Sequence, residues 1–142
     1  MVKNKTILDV LAETNEFNKL IFAIRETGLD LFFTQEAPYT LLAPYDEAFL
    51  KLKEPEVIEF IENAQNIKSL LKYHLIPGIL TINDLLNFDE IQSVEGDFIT
   101  IDKKDGMYLV NDCAKILRGD INASNGIIHI IDNVLIPKIY GG

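Results

Sequence analysis

Asn125-Gly126-Ile127-Ile128-His129-Ile130-Ile131-Asp132-Asn133-Val134-Leu135-Ile136-Pro137 is the stretch whose reading decides the fold. Asn-Gly is a strong short turn signal, because both residues tolerate positive φ. The run after it is dominated by β-branched side chains and is apolar on both faces of the expected pleat. Such a strand has to be covered on both sides, which places it at the centre of a domain. Pro137, with no N–H to give to a ladder, is expected to end it.

Outward from that strand, the bulk properties set limits. A length of 142 residues suits one domain over 1–142, which buries roughly two-thirds of its unfolded-chain surface. The formal net charge is −9 and the pI is near 4.6. An acidic surface disfavours nucleic acid and anionic membranes as partners. The single cysteine, Cys113, forms no internal disulfide, and lone cysteines are usually small buried hydrophobes. No apolar run approaches the roughly 20 residues of a membrane span, so no membrane insertion is expected. Met1 to Lys5 carries no signal-peptide core. Two locations stay open: extracellular or cell-surface if a leader has been removed, cytoplasmic otherwise.

From the N-terminus, Thr6-Ile7-Leu8-Asp9 reads as a capping box that opens a short helix through Ala12. Phe17, Leu20, Ile21 and Ile24 form the apolar stripe of a second helix, and Gly28 suits its C′ position. Leu29, Leu31, Phe32 and Phe33 form an apolar connection. Tyr39 to Ala43 is a strand between Pro38 and Pro44, followed by a helix from Asp46, whose carboxylate is the expected N-cap. Pro55 opens another helix with Val57, Phe60 and Ile61 inward and Glu54, Glu56, Glu59 and Glu62 solvated. Ile67, Leu70, Leu71 and His74 make a third stripe. Pro77-Gly78 is a turn, and Thr81 to Asp84 opens a brief helix that buries Leu85 and Leu86. Short strands are then expected over Ile91–Val94, Phe98–Asp102, Met107–Asn111, Ala114–Leu117 and Ile121–Ser124, with a hairpin at Asp105-Gly106. Helices first and strands after is an α+β pattern.

Three segments in this order resemble one family. Tyr39 to Phe49, carrying Thr40, Pro44, Asp46 and Phe49, is similar to the first signature of fasciclin (FAS1) domains. Leu71 to Gly78, with Tyr73 and His74, resembles the Tyr-His segment of that family, and Asn125 to Pro137, with Gly126, His129, Asp132 and Pro137, its second signature. The resemblance runs over about Thr6 to Pro137. Tyr45 departs from the usual Thr, so Asp46 is expected to carry the helix cap alone. The resemblance implies an α+β fold, a wedge-shaped β-sandwich with the N-terminal helices packed along one side. It also implies a non-enzymatic module of adhesion and matrix interaction.

Chemistry is hard to find among the residues themselves. His74 and His129 are the two histidines. His129 and Asp132, three apart on a strand, point to opposite faces and cannot share one ion without a bulge. Both rings read as interior groups bonded to backbone, and no phosphate loop, nucleophile elbow or His-Glu-x-x-His helix is present. Asp97, Asp102 and Asp105 fall short of the six to eight oxygens that calcium takes. No catalytic residue, metal or cofactor is therefore expected.

Binding has two candidate segments. Arg118-Gly119-Asp120 matches an integrin-type tripeptide, yet Asp120-Ile121 also matches an Asp-Ile that the resembled family carries here and that is linked with integrin adhesion in its animal members. A structural role is the reading adopted for Asp120, which leaves Arg118 and Gly119 to chance. In animal members the Tyr-His region is associated with cell binding. On this chain His74 continues a packed stripe, and Tyr73, partly exposed, is the better contact. The favoured function is an interaction and adhesion module for a protein or polysaccharide, expected as a monomer. The alternative is a soluble binder of a small hydrophobic ligand, marked by a closed cavity lined by Phe22, Phe33 and Phe60.

Overall fold

A computed structural model describes residues 5–34, 38–52, 55, 58–59 and 62–136. Its first helix, α1 (Ile7–Glu13), is opened by the expected capping box: Thr6 Oγ1 accepts from the Asp9 N–H, and the Asp9 carboxylate accepts from the Thr6 N–H. α2 (Asn18–Glu26) buries Leu20, Ile21 and Ile24, with Phe17 packed just ahead of them. Gly28 follows with φ +73, as a helix end of this type requires. The next segment is not a plain connection. It winds into a short helix, α3 (Asp30–Thr34), which buries Phe33 and turns Leu31 to solvent.

β1 (Tyr39–Pro44) and α4 (Asp46–Leu50) come next. The expectation that Asp46 caps α4 is not met. Tyr45 holds the N-cap position, with no side-chain capping bond, and Asp46 is the first helical residue. Its Oδ1 accepts instead from the Lys19 N–H at 2.8 Å, in the first turn of α2, whose own N-cap Phe17 makes no side-chain bond. The carboxylate thus satisfies a free donor at the positive end of a different helix. Pro55 is helical and Glu59 and Glu62 are exposed; Val57, Phe60, Ile61, Glu54 and Glu56 lie outside the described residues.

α5 (Ala64–Tyr73) is capped by Asn63, whose side-chain oxygen accepts from the Gln65 and Asn66 N–H groups. Leu70 and Leu71 point inward, and His74 closes the helix. β2 (Leu75–Pro77) leads to α6 (Ile82–Leu86), where Thr81 and Asp84 form the second capping box. Leu85 is fully buried and Leu86 half-buried.

The strands that follow are β3 (Ile91–Gln92), β4 (Phe98–Ile99), β5 (Ile101–Lys104), β6 (Met107–Val110), β7 (Ala114–Ala123) and β8 (Gly126–Ile131). The expected strand from Phe98 to Asp102 is divided at Thr100. The Thr100 N–H donates to Asn111 Oδ1 and its carbonyl accepts from the Asn111 N–H, so the two halves enter different sheets. Conversely, Ala114–Leu117 and Ile121–Ser124 merge into one strand with two register shifts. Asp105 and Gly106 have φ 52 and φ 79, the pair of positive values that a type I′ hairpin needs.

Six strands form one sheet in the order β2-β1-β8-β7-β6-β5, and β3-β4 form a second. β8 lies between β1, to which it runs parallel, and β7, to which it is antiparallel, and all six of its residues are buried. It is central, as its composition demands. Alternation divides its side chains between two cores. Ile128 and Ile130 face Ile7, Leu11, Leu20, Ile24 and Phe33 of the N-terminal helices. Ile131 faces Tyr73, Ile76, Leu85, Ile99 and Val110, where the small sheet closes over the large one. The fold is α+β, with the N-terminal helices on one face.

Two details of the deciding stretch differ from its reading. β8 ends at Ile131, because Asp132 Oδ1 takes the Lys115 N–H at 2.7 Å in place of a ladder carbonyl. Pro137 lies outside the described residues. Nor does Asn125 or Gly126 adopt positive φ. Asn125 is buried, its Oδ1 accepting from the Ile7 N–H and its Nδ2 donating to Phe33 O, which ties the start of β8 to α1 and α3. A Cβ on Gly126 would lie 2.0 Å from the Tyr39 carbonyl oxygen and 2.8 Å from Ile7 Cδ1. Glycine is required here by close approach between parallel neighbours.

Gly126→Ala should therefore lower stability by about 3 kcal/mol or more, the upper range for an overpacked core with a backbone obstacle. Urea unfolding followed by circular dichroism measures this. A loss under half that size would mean that β1 and β8 can move apart without penalty.

Candidate functional site

The Arg118-Gly119-Asp120 tripeptide sits on β7 over the register shifts, opposite Ile128–Ile130 of β8. Asp120 has φ 56, and its N–H donates to His129 Nδ1 at 3.0 Å. Its carboxylate accepts from the Ile82 N–H at 3.0 Å, at the start of α6. The carboxylate an integrin-type contact would need is therefore engaged within the fold, although its side chain is 52% exposed. Gly119 is not left to chance either. A Cβ there would come within 2.4 Å of Ile82 Cδ1 and 2.8 Å of His129 Nδ1. Arg118 is exposed and borders a cavity whose lining includes Glu13 and Glu16 of the N-terminal helices.

The two histidines are buried, and every ring nitrogen has a backbone partner. His129 Nε2 lies 2.9 Å from Leu80 O while Nδ1 accepts from Asp120, so the proton is on Nε2. His74 has the opposite tautomer. Its Nδ1 donates to Leu70 O at 2.7 Å, and its Nε2 accepts from the Leu135 N–H at 2.9 Å. Burial lowers the pKa of His129, and that of His74 to about 4. Each ring joins two segments distant in sequence and is held neutral. Asp132 faces away toward Lys115, so His129 and Asp132 are not brought together.

Tyr73 is corrected more sharply. Expected to be partly exposed, it is 2% exposed. Residue 73 ends α5 facing the small sheet, and its hydroxyl donates to Phe98 O at 3.1 Å and accepts from Asn111 Nδ2 at 3.0 Å. A side chain so placed reaches no partner while the fold is intact. Asn111, which holds Tyr73 and Thr100 together, escaped the sequence reading. Its signal is the Asn-Asp pair: Asn111 and Asp112 both take positive φ, which these two residue types tolerate best.

The other motif positions are structural joints. Thr40 is fully buried; its hydroxyl donates to Gly78 O at 2.7 Å and accepts from the Leu80 N–H at 2.8 Å. Pro44 pairs with Ile131, and Phe49 packs beside Ala48, Leu70 and Val134. Cys113, unlike most lone cysteines, is exposed. Partial desolvation and the Asp132 and Asp112 carboxylates raise its pKa and keep the thiol protonated. Asp102 and Asp105 are solvent-exposed, and among the described residues no group of three or more His, Cys, Asp or Glu side chains could hold a metal ion. Among them, too, no helix is long and apolar enough to cross a membrane.

Cavities lie elsewhere than expected. Phe22 is 66% exposed while Phe33 is core, so those two do not share a chamber; Phe60 lies outside the described residues. A cavity of about 390 Å³ opens beside Tyr73, Phe98, Asn111 and Cys113. Another, of about 290 Å³, separates β6 from β7.

Comparison with known proteins agrees with this geometry. The family profile described as "Fasciclin domain" matches residues 15–137. Protein sll1483 and the uncharacterized protein sll1735, both from Synechocystis, are each 34% identical, over 94% and 92% of this chain and 74% and 96% of their own lengths. Transforming growth factor-beta-induced protein ig-h3 of Sus scrofa is also 34% identical, over 93% of this chain, which spans 19% of that protein. Among solved structures, a FAS1 domain pair from the insect cell adhesion molecule Fasciclin I superposes with a TM-score of 0.77 at 20% identity, over 96% of this chain and 52% of that one. That similarity concerns the fold.

The buried rings set a pH dependence. An unfolded His74 binds a proton near pH 6.5, whereas the folded ring refuses it until about 4. The stabilisation is thus complete above pH 6.5 and is lost as the pH falls toward 4, up to roughly 3 kcal/mol in all. His129 adds a contribution of the same sign. Urea midpoints between pH 7 and 5 should fall with pH, and His74→Gln should reduce the slope. An unchanged slope in that variant would contradict a neutral, buried His74.

Proposed function

Because this chain belongs to the fasciclin domain family, we propose that it is a non-enzymatic interaction module, working at or outside the cell surface on a protein or polysaccharide partner. The observation that carries this reading is the engagement of all four imidazole nitrogens by backbone groups. An imidazole acting as general base must present a free lone pair to its substrate, and neither histidine does. Cys113 has carboxylates for neighbours, which raise its pKa when a reactive thiolate requires the reverse.

Family membership points the same way, since one solved relative comes from a protein described as a cell adhesion molecule. A net charge of −9 argues against nucleic acid and against anionic lipid. Within this reading Asp120 belongs to the fold through Ile82 and His129, and adhesion does not run through the Arg-Gly-Asp carboxylate. Tyr73 and His74 act as core groups that shape the surface without touching the partner.

Purified domain immobilised on a surface should retain extracellular protein or polysaccharide from its own producing cells. That retention should resist competition by soluble Arg-Gly-Asp peptide. Chromogenic ester, peptide and glycoside substrates should stay unconverted in the same preparation. Turnover of any of them that disappears in a folded His129→Gln variant would sink the proposal.

A further inference from the structure

We infer that the cleft between β6 and β7 is a strand-addition site for an extended, acidic segment of a partner protein; the inference rests on the interaction-module reading and names its surface. β6 and β7 pair at Leu109↔Lys115 and Val110↔Ala114 and then separate. β7 continues to Ala123 with β8 on its other side. The cleft so formed is about 290 Å³ and is lined by residues 115–119 of β7, by Met107 and Tyr108 across from them, and by Ile82 of α6, whose side chain packs against Gly119 at one end. Successive side chains of a strand point to opposite faces. A cavity that touches five consecutive residues therefore runs along the edge of the strand, where the backbone groups are, and not over one face. An edge of this kind is a template for another strand.

Charge selects the occupant. Lys104 is paired with Asp112, and Lys51 with Asp132. Among the described residues, Lys115 and Arg118 on the cleft make no ion pair, as is also true of Lys19, Arg25, Lys68 and Lys72, and Lys103 lies over the Tyr108 ring at 5.7 Å; Arg118 also borders a second cavity, with Glu13 and Glu16. No carboxylate lines the cleft. Asp120, next along β7, is held by the Ile82 N–H, and Asp105 sits at the hairpin tip. Leu117 and Met107, 48% and 39% exposed, supply apolar contact between the cations. An extended segment rich in carboxylates, with small apolar residues between them, matches the charge of the cleft.

The test uses a synthetic, acetylated and amidated pentapeptide of alternating glutamate and valine, titrated into the folded domain at low salt. Backbone amide resonances of residues 107–108 and 115–119 should shift, and affinity should fall as salt rises. Lys115→Glu with Arg118→Glu should weaken binding by about tenfold or more. A peptide N-methylated at alternate positions should not bind, and neither should a lysine–valine counterpart. Equal binding of the N-methylated peptide, shifts confined to other surfaces, absence of binding, or a dimer of this chain that fills the cleft would each overturn the inference. If the peptide fails while retention of extracellular partners persists, this site alone is wrong. If the peptide binds but no extracellular partner is retained, the fault lies with the broader reading.

Discussion

The close approach of β1 and β8 at Gly126 is the constraint on which the other contacts depend. Six consecutive register pairs, from Tyr39↔Gly126 to Pro44↔Ile131, hold the two strands in parallel. Parallel strands cannot be joined by a short turn, so the chain between them must take a long route. That route runs through α4, α5, β2, α6, the small sheet and the β5–β6 hairpin, and it comes back through β7. With β8 covered on both faces, its residues can be isoleucine on either side of the pleat. The start of the pairing is fixed by Asn125, whose buried amide bonds to Ile7 and Phe33 and so sets the helices against the sheet.

The histidines serve the same end in a polar register. An imidazole can donate at one nitrogen and accept at the other, so it can bridge two backbone groups that no ladder joins. His74 bridges Leu70 and Leu135; His129 bridges Leu80 and the Asp120 N–H. Their opposite tautomers follow from what each site offers, a carbonyl near Nδ1 in one and an N–H near Nδ1 in the other. Asp46, Thr40 and Asp132 do comparable work with shorter side chains, each meeting a backbone group in another part of the chain.

What was legible in the sequence was whatever depends on near neighbours. The capping boxes at Thr6 and Thr81, the Asp105-Gly106 hairpin and the two-faced apolar character of Ile127 to Ile131 each lie within a few residues. The fasciclin-domain signatures added the order in which such pieces assemble. Asp46 was misread because its carboxylate meets Lys19, and nothing in residues 45–50 announces α2 as its target. Tyr73 was misread because the helical period gives an angle around α5 but not the height of the wall that β4 and Asn111 raise against it. Gly119 and Gly126 were assigned to chance and to turn chemistry, when steric approach by Ile82 and Tyr39 explains them both.

The bond from Ile7 to Asn125 spans 118 positions of sequence. A ribosome adding about 5–20 residues per second needs on the order of ten seconds to travel between them. For most of that interval the N-terminal helices and β1 have been made, but the strand that covers them has not. Their apolar faces must wait, wet and unmatched, for a partner still being translated. Vectorial synthesis therefore works against this topology, since the covering strand is the last of the sheet to emerge.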